Sequence, residues 1–226
     1  CDRRQRQMCI RDRIKTRWYF LLALVVTTGM AGYTMLRLNR TITLKGAGHI
    51  WEVMVTRDAI FIDLLQYVPL LAGILLAVVQ FVPEMQRKCL KLTLHLPCSQ
   101  QKMIFSMLAF GLILLLGCFA ANFIVMGLYL PQIFASQLVR HILLSAVPWY
   151  LAGIAGYMLI AWTCLEPTWK RRILNLVVSA IVFRVYFLAP APESYNGFLP
   201  WLTLYTLLTA VLSWISVTRF KAGKQD

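Results

Sequence analysis

Chemistry in a protein interior needs ionisable or nucleophilic groups held close together, and in this chain such groups are few and scattered. His49, His95 and His141 lie far apart, Asp63 and Glu166 stand at the ends of apolar runs, and Glu84 opens a basic segment. No apolar run contains a Ser–His, Asp–Asp, Glu–Glu or His–Glu pairing, so no residue is assigned a catalytic role and the chain is not expected to be an enzyme. Cys89 and Cys98 have neither zinc-like spacing nor partners, so no metal site is expected. A Gly-x-x-x-x-Gly-Lys-Ser/Thr loop is absent, which excludes ATP hydrolysis by that route, and no cofactor is assigned to this chain. An ion-coupled carrier would call for a buried carboxylate or broken helices at mid-membrane, and neither is evident.

A few polar residues do interrupt the apolar runs. Arg184 sits four residues before the end of its run, where it can snorkel to headgroups or meet an anionic substrate. Asn122, Thr27, Thr28 and Ser179 are expected to make interhelical hydrogen bonds. Asn122 and Arg184 are accordingly the candidates for a substrate path or for packing. Ala152 and Gly156, beside Gly153, form a small-xxx-small step that favours close helix packing, either within the chain or between protomers. Pro69 and Pro148 are expected to kink their helices.

The elements that must hold these residues follow from composition. Of 226 residues, 59% are hydrophobic and 14% charged, with mean hydropathy +0.66. A soluble domain has about 45–50% apolar and about 25% charged residues, so the chain belongs in a membrane. Its 23 basic and 9 acidic residues give a net charge of +14. The basic residues cluster in gaps between apolar runs, which is the pattern of orienting charges and not of a nucleic-acid face; no nucleic-acid partner is expected. The fold class is therefore all-α, a polytopic membrane protein in which lipid is one partner.

Six runs approach the roughly 20 residues that a bilayer core requires: Trp18–Leu36, Leu64–Val82, Ile104–Tyr129, Leu143–Trp162, Ile173–Leu188 and Trp201–Val217. The third is long enough to tilt or to break near its outer end. With the N-terminus inside, the segments 14–17, 84–102, 163–172 and 219–226 carry 12 Lys and Arg, against 5 in 37–60, 130–141 and 189–198. That asymmetry places both termini in the cytoplasm. Cys89, Cys98 and Cys164 then face the reducing side and Cys118 lies in a span, so no disulfide framework is implied.

Residues 3–13, Arg-Arg-Gln-Arg-Gln-Met-Cys-Ile-Arg-Asp-Arg, resemble one translated frame of a transposon adapter used in sequencing libraries. Residues 1–13 are accordingly expected to be non-native, with natural sequence from Ile14 and a true start upstream of it. The domain is then 14–226, a single six-helix transmembrane unit with net charge +11.

Between the second and third spans runs Glu84-Met-Gln-Arg-Lys-Cys-Leu-Lys-Leu-Thr-Leu-His-Leu-Pro-Cys-Ser-Gln-Gln-Lys102. On a helix, Met85, Cys89, Leu92 and Leu96 form one apolar stripe while Lys88, Lys91 and His95 line another face. Pro97 stops this helix and Ser99 can cap the next. The segment reads as a short amphipathic cytoplasmic helix, either resting on headgroups or docking a soluble partner.

An acidic residue, basic residues, Leu-x-x-x-Leu-Pro, Ser and then a long apolar span, in that order, resemble the cytoplasmic loop of type-2 ABC exporter permeases. Ile14-Lys-Thr-Arg-Trp18 is similar to the end of the basic helix preceding the first span in that family, and six spans with cytoplasmic termini extend the similarity over nearly the whole chain. Gln100 stands where the family usually has Arg. The resemblance implies a permease subunit of an ATP-driven exporter in the bacterial cytoplasmic membrane. It also implies a dimer with a second, identical or different, permease protomer, and a separate ABC ATPase subunit that binds ATP and Mg. The implied coupling residues are Glu84, Met85, Arg87, Lys88, Lys91, Leu92, His95, Leu96 and Pro97. Lipids, glycolipids, hydrophobic drugs, peptides and haem are all compatible with an apolar path. The alternative class is an accessory or sensor membrane subunit without a transport cycle.

Overall fold

The computed structural model describes residues 3–46, 52, 62–86, 100–166, 168–188 and 194–221. Among these residues the regular structure is entirely helical: α1 (Arg3–Lys45), α2 (Val68–Gln86), α3 (Gln100–Tyr129), α4 (Ser136–Leu165), α5 (Trp169–Tyr186) and α6 (Leu199–Lys221), with single 3-10 turns at Asp63–Leu65, Leu130–Gln132 and Asn196–Phe198. Each of the six apolar runs falls largely on one of these helices, the fifth running two residues past the end of α5 at Tyr186. Trp18–Lys45, Asp63–Pro83, Phe105–Gln132 and Ser136–Leu165 are long and apolar enough to cross a bilayer, so the chain is an integral membrane protein. α5 falls outside that set because Lys170, Arg171, Arg172 and Arg184 dilute its 18 residues, and the apolar part of α6 is shorter.

Several helix ends differ from the sequence expectation for identifiable reasons. α1 does not stop at Leu36; it carries Arg37, Arg40 and Lys45 onward and ends at Gly46, whose φ of 80° and N–H bond to the Ile42 carbonyl close the helix in the left-handed manner that glycine permits. Pro69 lies in the first turn of α2 and so opens that helix, where a missing N–H costs nothing. Pro83 and Pro148 are the prolines inside helices. α3 runs unbroken for 30 residues, roughly 45 Å, and gives way to a 3-10 turn containing Pro131.

α4 is the centre of the bundle. It packs against α2, α3, α5 and α6, and 67% of its apolar stretch is buried, against 28–44% in the other three apolar helices. Small residues on two of its faces make this possible. Gly153 and Gly156 lie against Pro69, Leu70 and Gly73 of α2, where a Cβ on Gly73 would run into the Gly153 carbonyl. Ala152 and Ala155 are fully buried in a second cluster with Tyr186 and Leu202, on the side of α5 and α6. The small-residue step therefore works within the chain, on both sides of one helix.

Helix directions follow from the pairs that meet. Phe20 of α1 packs edge-on to Phe110 of α3 with ring centres 6.5 Å apart, and Glu166 beyond α4 meets Ser216 of α6. These contacts, with the groove described below, bring the start of the α1 span, the ends of α2, α4 and α6, and the starts of α3 and α5 to one end of the bundle. At the opposite end Tyr67 stacks on Phe187 at 5.1 Å, and the Tyr195 hydroxyl donates to the Val185 carbonyl while accepting the Leu188 N–H.

Three helices bury polar residues while exposing large apolar ones. In α5, Asn175 and Ser179 are buried while Ile173, Leu174, Val177 and Ile181 are more than half exposed; in α6, Thr206 and Thr209 are buried while Trp201, Leu207 and Leu208 are exposed. α1 repeats the pattern, with Thr27 and Thr34 inside and Leu22 and Val25 outside. In water such surfaces would form large apolar patches, whereas lipid tails solvate them well.

Candidate functional site

Two polar arrangements and one groove lie at or near the bundle end where α2, α4 and α6 finish. The first arrangement ties three helices together. Tyr157 of α4 donates its hydroxyl to Gln80 Oε1 of α2 at 2.8 Å, and Gln80 Nε2 donates to the Met107 carbonyl of α3 at 2.8 Å. The same hydroxyl lies 3.4 Å from the Leu108 carbonyl. Gly111 makes room for this cluster, since a Cβ there would strike the Tyr157 hydroxyl and Gln80 Oε1. An amide and a phenol without partners would be costly among apolar helices, and each satisfies the other.

The second arrangement surrounds the residue that ends α4. Glu166 is 2% exposed and its Oε2 accepts the Ser216 hydroxyl of α6, while its backbone carbonyl accepts Arg172 Nε of α5 at 2.6 Å. A single residue thus joins α4, α5 and α6. Along the same face of α5, one turn before and one turn after Arg172, the buried Thr168 Oγ1 and Asn175 Nδ2 have no hydrogen-bond partner among the described residues.

Beside this junction is a groove of about 480 Å³. Val82 and Met85 form its α2 wall, Thr163 and Cys164 its α4 wall, and Trp169, Arg172, Ile173 and Leu176 its α5 wall. The Arg172 guanidinium lies 5.3 Å from the centre of the Trp169 ring, so a cation and an aromatic ring stand together on the α5 wall of an otherwise mostly apolar groove.

The residues singled out from the sequence are distributed differently. Glu84 and Met85 form part of the last turn of α2, and Met85 is half-buried against the core and lines the groove. Arg87, Lys88, Lys91, Leu92, His95, Leu96 and Pro97 lie outside the described residues, as does Ser99, although α3 starts directly after it. Asn122 is buried in α3 and its Oδ1 has no partner among the described residues, whereas Arg184 is exposed on α5. Thr27, Thr28 and Ser179 do not bridge helices: their hydroxyls bond to Leu24 and Asn175 carbonyls of their own helices, three or four residues back. That local acceptor is always within reach of a helical hydroxyl, and it prevails here. Among the described residues no three of His, Cys, Asp and Glu gather as a metal site would require.

Sequence reasoning passed over Gln80, Tyr157, Arg172 and Ser216. The signal for Gln80 was available, because an amide inside an apolar run must find a partner. No family model, no curated protein and no solved structure matches this chain.

Proposed function

We propose that the chain is the membrane-spanning permease subunit of an ATP-driven ABC exporter, working as a dimer and coupled to a separate ATPase subunit through the segment 84–97. The observation that carries this reading is that segment, an acidic, basic, Leu-x-x-x-Leu-Pro-x-Ser run between the second and third helices. Its setting supports the reading. α2 ends at Gln86 and α3 begins at Gln100, and the Gln80–Met107 bond holds those helix ends side by side, so the run leaves and rejoins the bundle at one end.

On this reading all six helices cross the membrane. The outward apolar faces of α5 and α6 support this even though α5 carries four basic residues, because Lys170, Arg171 and Arg172 sit at its first turn and Arg184 near its last, where long cationic side chains reach headgroups. The excess of Lys and Arg at the end shared by 84–102 and 163–172 supports placing that end, and both termini, in the cytoplasm. ATP and Mg bind the partner ATPase, whose closure would push on the 84–97 segment and bias the bundle between two arrangements.

The test is a pair of aspartates on the apolar stripe. Leu92→Asp with Leu96→Asp would set two desolvated charges in an ATPase groove, at a cost of several kcal/mol. The double variant is expected to insert and dimerise normally but to lose the ATPase on affinity purification in mild detergent. Normal ATPase retention and turnover would return the chain to the accessory or sensor class.

A further inference from the structure

The bonds that tie α2, α3 and α4 together contain a choice of acceptor. Tyr157 is fully buried, and its hydroxyl has one proton but two oxygens within reach among the described residues, Gln80 Oε1 at 2.8 Å and the Leu108 carbonyl at 3.4 Å. Gln80 in turn donates to the carbonyl of Met107, the residue before Leu108 on α3. Successive residues of a helix lie about 100° apart around its axis, so a turn of α3 that brings the Leu108 carbonyl up to Tyr157 carries the Met107 carbonyl away from Gln80. The two arrangements therefore exclude each other. In the first, which the structure occupies, Tyr157 bonds to Gln80 and Gln80 to Met107; in the second, Tyr157 bonds directly to Leu108. Gly111, one turn on from Met107, leaves room for both, because a Cβ there would run into the Tyr157 hydroxyl and Gln80 Oε1.

The packing decides which body turns. α2 and α4 form the most extensive helix pair, and at their crossing a Cβ on Gly73 would run into the Gly153 carbonyl, so that pair is locked. α3 packs most on α1 and meets α4 through rings, Phe119 and Phe123 against Tyr150, which can turn past one another without breaking a hydrogen bond. We propose that Gln80 and Tyr157 form a two-position latch on the locked α2–α4 pair, against which α3 turns between Met107 bonded to Gln80 and Leu108 bonded to Tyr157. A buried hydroxyl among apolar helices must keep an acceptor, so intermediate turns are disfavoured and the two ends are distinct states. The first position holds two bonds and the second one, which makes the observed arrangement the majority state and the other a minority. The latch rests on the fold alone; the permease reading would add that the connection rejoining the bundle at Gln100, the start of α3, supplies the force.

The experiment uses the full chain in lipid nanodiscs with 4-fluorophenylalanine in place of Phe123, whose ring centre lies 4.5 Å from that of Tyr150 on α4, so that the fluorine resonance reports the orientation of α3 against α4. Expected are a major resonance and a minor one. Gln80→Leu removes both bonds of the first position and leaves the second, so the minor resonance should outgrow the major one. Tyr157→Phe removes the second position and leaves Gln80 bonded to Met107, so the minor resonance should vanish. A tie with a single position would answer both variants alike, by the same broadening or by no change, and either result would overturn the proposal. Tyr157→Phe removes one oxygen only, so it decides the case if Gln80→Leu disturbs the fold: a minor resonance that persists in it, or is absent from the unmutated latch, sinks the second position. None of these readouts involves an ATPase, so their failure leaves the permease reading standing, and the reverse holds as well.

Discussion

Replacing Gly153 by alanine adds one methyl group at the close crossing of α2 and α4. The new Cβ would lie 2.6 Å from the Pro69 carbonyl oxygen and 2.7 Å from Phe119 Cζ, where ordinary contact begins at 3.4 Å. The deficit of roughly 0.8 Å arises against two elements at once, backbone of α2 and a ring of α3, so rotation of one side chain cannot relieve it. The ring can yield, but Phe119 packs edge-on to Tyr150 at 5.0 Å and a shift there propagates into α4. The carbonyl can move only with α2, and separating α2 from α4 stretches the Tyr157–Gln80 bond beyond its 2.8 Å. Overpacking costs about 1–3 kcal/mol, and loss of a membrane-buried interhelical bond adds about 0.6–1.7 kcal/mol. The expected destabilisation is therefore about 2–4 kcal/mol, measured from the dodecyl sulfate midpoint of unfolding in mixed micelles. Gly117→Ala in α3 makes the same chemical change where no atom lies within 4 Å, and it is expected to shift stability by less than about 0.5 kcal/mol. Equal midpoints for the two variants would refute the close crossing of α2 and α4.

Two further outcomes are expected. Tyr157→Phe and Gln80→Leu should each destabilise by about 1–2 kcal/mol, while the double variant should cost little more than Gln80→Leu alone; additive losses in that cycle would show that the pair is not coupled. Single cysteines introduced at Lys45 and Glu193 should react with an impermeant thiol reagent in intact cells, whereas Cys98 should not; labelling of Cys98 would reverse the proposed orientation.

Hydropathy located the helices but not their ends, because it marks where lipid stops and not where helical hydrogen bonding stops. α1 shows the difference: Arg37 and Arg40 leave the apolar run, yet the helix continues to a glycine at Gly46. Pro69 shows the converse, since the apolar run starts at Leu64 but a separate 3-10 turn, Asp63–Leu65, precedes a helix that begins at Val68. The small residues near Gly153 were legible as a packing face, but their partner Gly73 was not, because a crossing is set by two helices whose contacting residues are 80 positions apart. Hydroxyl partners were misjudged for a related reason. A threonine in a helix always has a local carbonyl to hand, whereas the longer side chain of Gln80 reaches across to Met107 and Tyr157 on two other helices. The buried face of α5 follows a regular spacing, Thr168, Arg172, Asn175 and Ser179, but whether such a stripe points inward or outward depends on the solvent around the bundle.

The placement of Glu166 gives that end of the bundle its mechanical logic. A helix C-terminus carries partial negative charge, which disfavours a carboxylate there, so a buried glutamate directly after Leu165 must be stabilised by what it meets. It meets Ser216 through its side chain and Arg172 through its backbone, and α5 and α6 pack mainly on α4 and little on each other. Displacement of the α4 end is thereby passed to both later helices, and neither can easily pass it to the other. On the opposite face α4 is joined to α2 by glycine contacts that leave almost no room for sliding, with Val82 and Met85 beside Thr163 and Cys164 at the end. A force applied where α2 gives way to the 87–99 connection would therefore move α2 and α4 as one body. It would reach α5 and α6 through residue 166, which is the transmission that the proposed coupling to an ATPase requires.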